Sequence, residues 1–163
     1  YVPQKAILFS GTIESNLRFG REDATRQEMQ KAIEIAQAKN IIDAKGYTGN
    51  VAQGGQNLSG GQKQRMSIAR AITKNPDIYL FDDSFSALDY KTDKLLRQAL
   101  NKEVSDATKI IVAQRIGTIK NADKILVLDK GEIVGNGTHE QLMQSCEVYR
   151  EIAYSQLNKE ELE

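Results

Sequence analysis

The sequence has a single cysteine, Cys146, no excess charge of either sign and no long apolar run. One cysteine excludes a disulfide framework within the chain and makes a reducing compartment the simpler setting. Lys and Arg number 22 and Asp and Glu number 22 in 163 residues, so the formal net charge is zero. That balance argues against nucleic acid as a partner, because binding it needs a basic face that neutralises phosphates. Apolar runs such as AILF at 6–9 and IIVA at 110–113 hold only a few residues, whereas a membrane-spanning helix needs about 20. No signal peptide is recognisable in this stretch, and no internal repeat, low-complexity segment or sustained heptad pattern is seen. The chain opens on Tyr-Val-Pro instead of Met and is expected to be a piece of something longer.

The length suffices for one domain with a real core. Residues 1–12, YVPQKAILFSGT, read as an extended apolar piece interrupted by Pro3, Gln4 and Lys5. From Thr25 the pattern turns helical: Met29, Ala32, Ile33 and Ala36 share one face, and Thr25 with Glu28 fits a capping box. Six glycines between Gly46 and Gly61 mark a loop. A second helix is expected over 60–73, ended by Asn75-Pro76. The remainder alternates. Residues 78–81 (IYLF) and 109–113 (KIIVA) read as buried strands, and 90–102 as a helix with Leu95, Leu96, Ala99 and Leu100 inward. Two strands, 124–129 and 132–137, flank a two-residue hairpin loop at Lys130-Gly131. Thr138 and Gln141 open a helix through Met143, and a last helix covers 147–156. Strand–helix–strand order with continuous apolar strands indicates a parallel α/β sheet. The first 73 residues read as mostly helical, so two subdomains are expected, with no clear linker between them.

Two stretches carry chemistry. In IYLFDDSFSALD at 78–89, Asp82 and Asp83 follow directly on the first strand. Ligands of an open α/β sheet bind beyond the carboxyl ends of its strands. An acid placed there commonly holds Mg²⁺, with nucleotide phosphates completing its shell. A polar turn closing the strand accounts for the pair equally well. LSGGQKQR at 58–65 shifts the balance. Ser59 and Gln62 satisfy a capping box, but capping does not need Gly60 and Gly61, which are poor helix formers. They leave bare backbone at a helix N-terminus, where amides and the positive dipole end receive an anion.

LSGGQKQR resembles the signature motif of ATP-binding cassette (ABC) proteins, IYLFDD their Walker B strand and SALD at 86–89 their D-loop. VPQKAILFSGTI is similar to the Q-loop segment of exporter-type transporters, VAQGGQN to the loop before the signature, and the region from VAQRIGTI through THEQL to the switch loop and the hairpin after it. The resemblance covers nearly the whole chain in order. It implies a P-loop NTPase core of the ABC ATPase type, present in part, with an α-helical subdomain over about 10–73 carrying the signature and part of the α/β core over about 74–163. It implies ATP and Mg²⁺ as cofactors and assigns roles one by one. Gln4 becomes the Q-loop glutamine that senses Mg²⁺ and γ-phosphate, and Asp82 the Walker B acid near Mg²⁺. Ser59, Gly60, Gly61 and Gln62 bind the γ-phosphate of nucleotide held by a partner cassette, arranged head to tail, and Asp89 touches that partner. Arg65 and Arg70, on the same helix, are expected to be structural.

Three departures from the family pattern matter. Asp83 stands where the family has its catalytic glutamate, one methylene shorter. Gln114 stands at the switch histidine, and the only histidine, His139, lies well beyond it and is expected at the surface. The phosphate-cradling GxxxxGK[ST] occurs nowhere in the chain and is expected upstream of Tyr1. Gln53 also replaces an acid usual in exporters. An intact signature beside two altered site positions suggests the degenerate half of a heterodimeric multidrug- or lipid-type exporter, lying on the cytoplasmic face of the membrane and contacting transmembrane coupling helices. In that reading Asp83, Gln114 and Gln4 occupy the catalytic positions, and this stretch alone is inactive. A regulatory ATP-binding module without turnover is the alternative, and a soluble repair-type ABC ATPase a more distant one.

Overall fold

The computed structural model describes residues 1–160, with side chains described through 156. The backbone runs β1 (Gly11–Thr12), α1 (Ile13–Arg18), α2 (Arg26–Ile35), α3 (Lys39–Lys45), β2 (Asn50–Val51), a 3₁₀ turn (Gln53–Gly55), α4 (Gly60–Lys74), β3 (Ile78–Asp82), α5 (Tyr90–Glu103) and β4 (Thr108–Val112). These elements form one unit, Tyr1–Val112. A second unit begins at Ala113 and holds α6 (Ile116–Ile119), β5 (Ile125–Asp129), β6 (Glu132–Gly137), α7 (His139–Ser145) and α8 (Glu147–Glu160).

Local capping chemistry starts most of the helices. Thr12, Thr25, Ser59 and Thr138 each accept a hydrogen bond from the amide three residues on, and the side chain at that third residue accepts from the cap's own amide. The boxes at Thr25, Ser59 and Thr138 follow the S/T-x-x-E/Q pattern. The box at Thr12 uses Ser15 instead, which is why α1 escapes sequence reading. Helix α4 ends at Asn75, whose φ of 52° places it in the left-handed region before Pro76.

In the first unit α4 packs against α1 and α2, and α2 also meets α5. Leu17, Met29, Ile33, Met66, Ile68, Leu96 and Leu100 are buried in a single core with Tyr79 and Phe81 of β3. Tyr79 stacks on Phe81 at 5.8 Å, and Phe81 meets Phe85 at 5.1 Å. Gly20 follows α1 where any β-carbon would collide with the Arg70 carbonyl, so the two helices come closer there than a side chain allows.

Strands β3 and β4 pair in parallel from Ile78↔Thr108 to Asp82↔Val112. Val2 forms a parallel bridge to Phe81. The expectation of strands buried on both faces is corrected: one face, with Tyr79 and Phe81, lies on the core, whereas Ile78, Ile110 and Val112 on the other are 59, 48 and 52% exposed. Within this unit the helices cover only one side of the sheet, so the continuous apolar run has one half turned away from them.

In the second unit β5 and β6 pair antiparallel, from Asp129↔Glu132 to Ile125↔Gly137. Lys130 and Gly131 both adopt positive φ, 48° and 86°, the conformation that a tight two-residue hairpin turn demands. Ile125 and Val127 face a small core with Leu142, Cys146 and Tyr149. Leu126, Leu128 and Ile133 lie on the uncovered side.

Replacing Phe81 with alanine is expected to destabilise the first unit by about 3–5 kcal/mol, because a fully buried ring between two aromatic neighbours leaves a cavity; denaturant unfolding measures it. Arg21 and Thr25 hold the Glu28 carboxyl down from its ordinary 4.5 to about 2. A depressed carboxyl contributes stability that is complete above 4.5 and is lost as pH falls toward 2. Glu28→Gln should therefore flatten the pH dependence of unfolding in that acid window and leave its neutral-pH slope unchanged.

Candidate functional site

The carboxyl end of β3 gathers residues from both ends of the first unit. The Val2 amide donates to the Leu80 carbonyl at 2.8 Å, and the Asp82 amide donates to the Val2 carbonyl at 3.0 Å. The buried Ser84 hydroxyl adds a second bond to the Val2 carbonyl at 2.8 Å. This pairing carries the segment Tyr-Val-Pro-Gln alongside the strand. The Tyr1 hydroxyl then donates to Asp82 Oδ2 at 2.8 Å, and the Asp82 carboxylate pushes the phenol's pKa up. Gln4 Nε2 donates to Asp83 Oδ2 at 3.0 Å, across 79 positions of sequence.

Asp83 has a φ of 43°. Aspartate is one of the few residues that enters the left-handed region at modest cost. Its amide donates to the Val112 carbonyl at 2.9 Å, and its carbonyl accepts from the Ser86 hydroxyl at 2.8 Å. The backbone at the second acid is therefore held on both sides. Asp82 and Asp83 are hard oxygen donors of the kind Mg²⁺ takes singly or in pairs, with phosphate oxygens and water filling the rest of its shell. Among the described residues no group of three or more His, Cys, Asp or Glu side chains forms an all-protein metal cage. The donor set suits a Mg²⁺ brought with a nucleotide.

At the head of α4 the Ser59 hydroxyl accepts from the Gln62 amide at 3.3 Å, and Gln62 Oε1 accepts from the Ser59 amide at 2.9 Å. The first turn closes with the Lys63 amide on the Ser59 carbonyl at 2.9 Å. A β-carbon on Gly60 would meet nothing within 4 Å, so this position opens to free space. One on Gly61 would stand 3.4 Å from the Ala87 carbonyl, so the glycine pair lies beside the turn that leads into Asp89. Asp89 caps α5, accepting from the Thr92 amide at 3.0 Å. That contact with Thr92 lowers its carboxyl pKa, and the charge of Arg65 adds to it.

The same helix anchors the Gln4 loop. Gln64 is buried, and its Nε2 donates to the Pro3 carbonyl at 3.0 Å. Arg70 Nη2 donates to the Ile7 carbonyl at 2.9 Å. Its guanidinium stands 5.3 Å from the Phe9 ring centre, and Phe9 packs on Phe19 at 4.3 Å. Arg65 donates to the Gln37 carbonyl and to Asn40 Oδ1. Burial lowers the pKa of both guanidiniums. Both arginines hold loops, as their structural reading requires.

Gln114 lies in the second unit, exposed, just before α6. Its carbonyl accepts from Gln156 Nε2 at 2.7 Å. His139 is half-buried, contrary to the surface position expected: its Nδ1 lies 2.9 Å from the Tyr149 hydroxyl, because Tyr149 fills the small core directly beneath the start of α7. Gln53 is exposed in the 3₁₀ turn before the signature. Tyr1, Gln64, Ser84 and Gln156 were not singled out in the sequence. Each acts through a partner at least 40 positions away, which no local pattern encodes.

Comparison with known proteins agrees with this geometry. The sequence model of the ABC transporter family matches residues 1–86. An ABC transporter ATP-binding protein of Mycobacterium tuberculosis is 49% identical over 158 residues, covering 95% of this chain and 27% of that protein. The ABC transporter ATP-binding protein YfiB of Bacillus subtilis is 44% identical over 162 residues, covering 98% and 28%. A solved structure of a bacterial Atm1-family ABC exporter with ATP bound superposes with a TM-score of 0.87 at 39% identity, over 93% of this chain and 27% of that one. The chain spans about a quarter of the length of these relatives. Among the described residues no helix is long and apolar enough to cross a membrane. The fold is that of the ABC ATPase core of exporter nucleotide-binding domains, and the chain belongs to the ABC transporter family.

Proposed function

We propose that this chain is the ATP-binding part of an exporter-type ABC transporter, and that it is the degenerate half of a heterodimeric pair. The observation that carries the reading is the bond from Gln4 to Asp83 at the mouth of β3. A glutamine and two acids converge where a nucleotide and its Mg²⁺ are expected, and the residue in the position of the base is an aspartate. When bound, Mg²⁺ supplies positive charge to the γ-phosphate oxygens during attack by water. Asp82 would hold the ion, and Gln4 would join it there. Asp83 would orient the water, but from one methylene further back, and an error of about 1 Å in a positioned group costs roughly 10²-fold in rate. Gln114 takes the switch position, where it offers a hydrogen bond but no titratable charge.

The head of α4 serves a different nucleotide. Gly60 opens to free space beside a capped helix start, which fits amide donation to the γ-phosphate held by a second cassette, packed head to tail, with Asp89 at the same interface. Residues 10–73 form the helical subdomain in this proposal, and residues 74–163 belong to the α/β core. The exposed Ile7, Phe9 and Phe19 lie in the stretch following Gln4 and would meet the coupling helices of the transmembrane part at the cytoplasmic face of the membrane. Hydrolysis then belongs to the assembled transporter, not to this stretch by itself.

The occupation of Asp83 by Gln4 equally suits a regulatory module that binds ATP as dimer glue, and one substitution separates the two. In the assembled transporter Asp83→Glu is expected to raise ATP turnover by about 10- to 100-fold. Unchanged turnover would favour the module. Replacing Ser59 and Gly60 together with leucine should lower the transporter's turnover by about 10²-fold or more, since the charge-stabilising amides become obstructed. Normal turnover in that variant would overturn the trans role of the signature.

A further inference from the structure

Helix α6 begins without a cap of its own. Its N-cap residue, Arg115, makes no side-chain capping bond. The first amide of a helix has no partner within the helix and needs one from elsewhere. Here the partner comes from α8. Gln156 Oε1 accepts from the Ile116 amide at 2.7 Å, and Gln156 Nε2 donates to the Gln114 carbonyl at 2.7 Å. A primary amide offers both a donor and an acceptor, and both are used on the two residues that bracket Arg115.

The delivery of Gln156 is built into α8. Tyr149 and Ala153 are each 1% exposed, and Tyr149, Ala153 and Gln156 recur at i, i+4 and i+7, one face of a helix. The helix docks through the first two, and the third emerges at the loop. Ile116 and Ile119 of α6 pack against the same cluster as Tyr149. The loop backbone at Gln114 is therefore fixed by two bonds to an element 40 residues away, and the direction of the Gln114 side chain follows from its backbone.

We propose that Gln156 is a positioning residue for Gln114: a side-chain clamp from α8 that sets the switch loop, so that displacement of α8 releases it. The proposal rests on the reading of Gln114 as the residue at the switch position of the ATP site. It makes α8 a control element of that site, through a hydrogen-bonded contact and not through contact with nucleotide.

The test uses the assembled transporter with Gln156→Ala, Gln156→Glu, Gln114→Ala and the double variant of the two alanines. Hydrogen exchange at the Ile116 amide should quicken about tenfold in Gln156→Ala, the energetic scale of the bond removed, with β5 and β6 amides unchanged, and should stay slow in Gln156→Glu. The glutamate variant matters because a carboxylate accepts from Ile116 but cannot donate to Gln114. The same kinetic parameter, kcat or KM for ATP, should move in Gln114→Ala and Gln156→Ala, and the double variant should match Gln114→Ala alone. Unchanged exchange at Ile116 in Gln156→Ala overturns the clamp. Multiplying effects in the double variant overturn its action through Gln114. A silent Gln114→Ala, with the loop still loosened by Gln156→Ala, overturns the switch reading and the positioning role with it, while leaving the clamp as a feature of the fold.

Discussion

The candidate site depends on the backbone pairing of one residue near the start of the chain with a strand some 80 positions later. Val2 exchanges hydrogen bonds with Leu80 and Asp82, and Ser84 adds a third on its carbonyl. Backbone bonds of this kind are stiff because both partners lie in regular or buried structure, and leaving any of them unmade in the interior costs more than making it gains. Without that registration neither Tyr1 nor Gln4 reaches an acid. The loop itself has no regular structure to hold it, so the second restraint, Gln64 reaching from α4 to the Pro3 carbonyl, ties the Gln4 loop to the helix whose head carries the glycine pair.

The two compact units solve the same problem with different means. In the first, helices cover one side of the parallel pair β3–β4. In the second, α7 and α8 cover one side of the hairpin β5–β6. Each sheet keeps an apolar outer face, with Leu128 67% exposed on the hairpin. Apolar side chains in continuous rows are what strands carry when both faces are covered, and surfaces of this kind favour association.

What could be read from the sequence was local. Capping boxes at Thr25, Ser59 and Thr138 announce α2, α4 and α7, and Lys130-Gly131 announces the hairpin, because the residues that set each conformation are neighbours. The two acids at the end of β3 and the bare helix start at Gly60 were legible for the same reason. The short helices α1, α3 and α6 were not, since α1 uses a serine in the place of a longer acceptor, α3 has no side-chain cap, and α6 takes its first partner from Gln156. The exposure of Ile110 and Val112 was also hidden, because an apolar strand reads alike whether one of its faces is covered or both. The half-burial of His139 depends on Tyr149, ten positions on, where no pattern links the two.

The left-handed backbone at Asp83 restricts which amino acids can stand there independently of any chemistry. Valine, isoleucine and threonine, branched at the β-carbon, are strained in that conformation, whereas glycine, asparagine and aspartate enter it readily. The position thus disfavours branched side chains, and an aspartate there keeps the turn with a carboxylate one methylene shorter than a glutamate's. Backbone shape and side-chain reach are thus set together at this one residue.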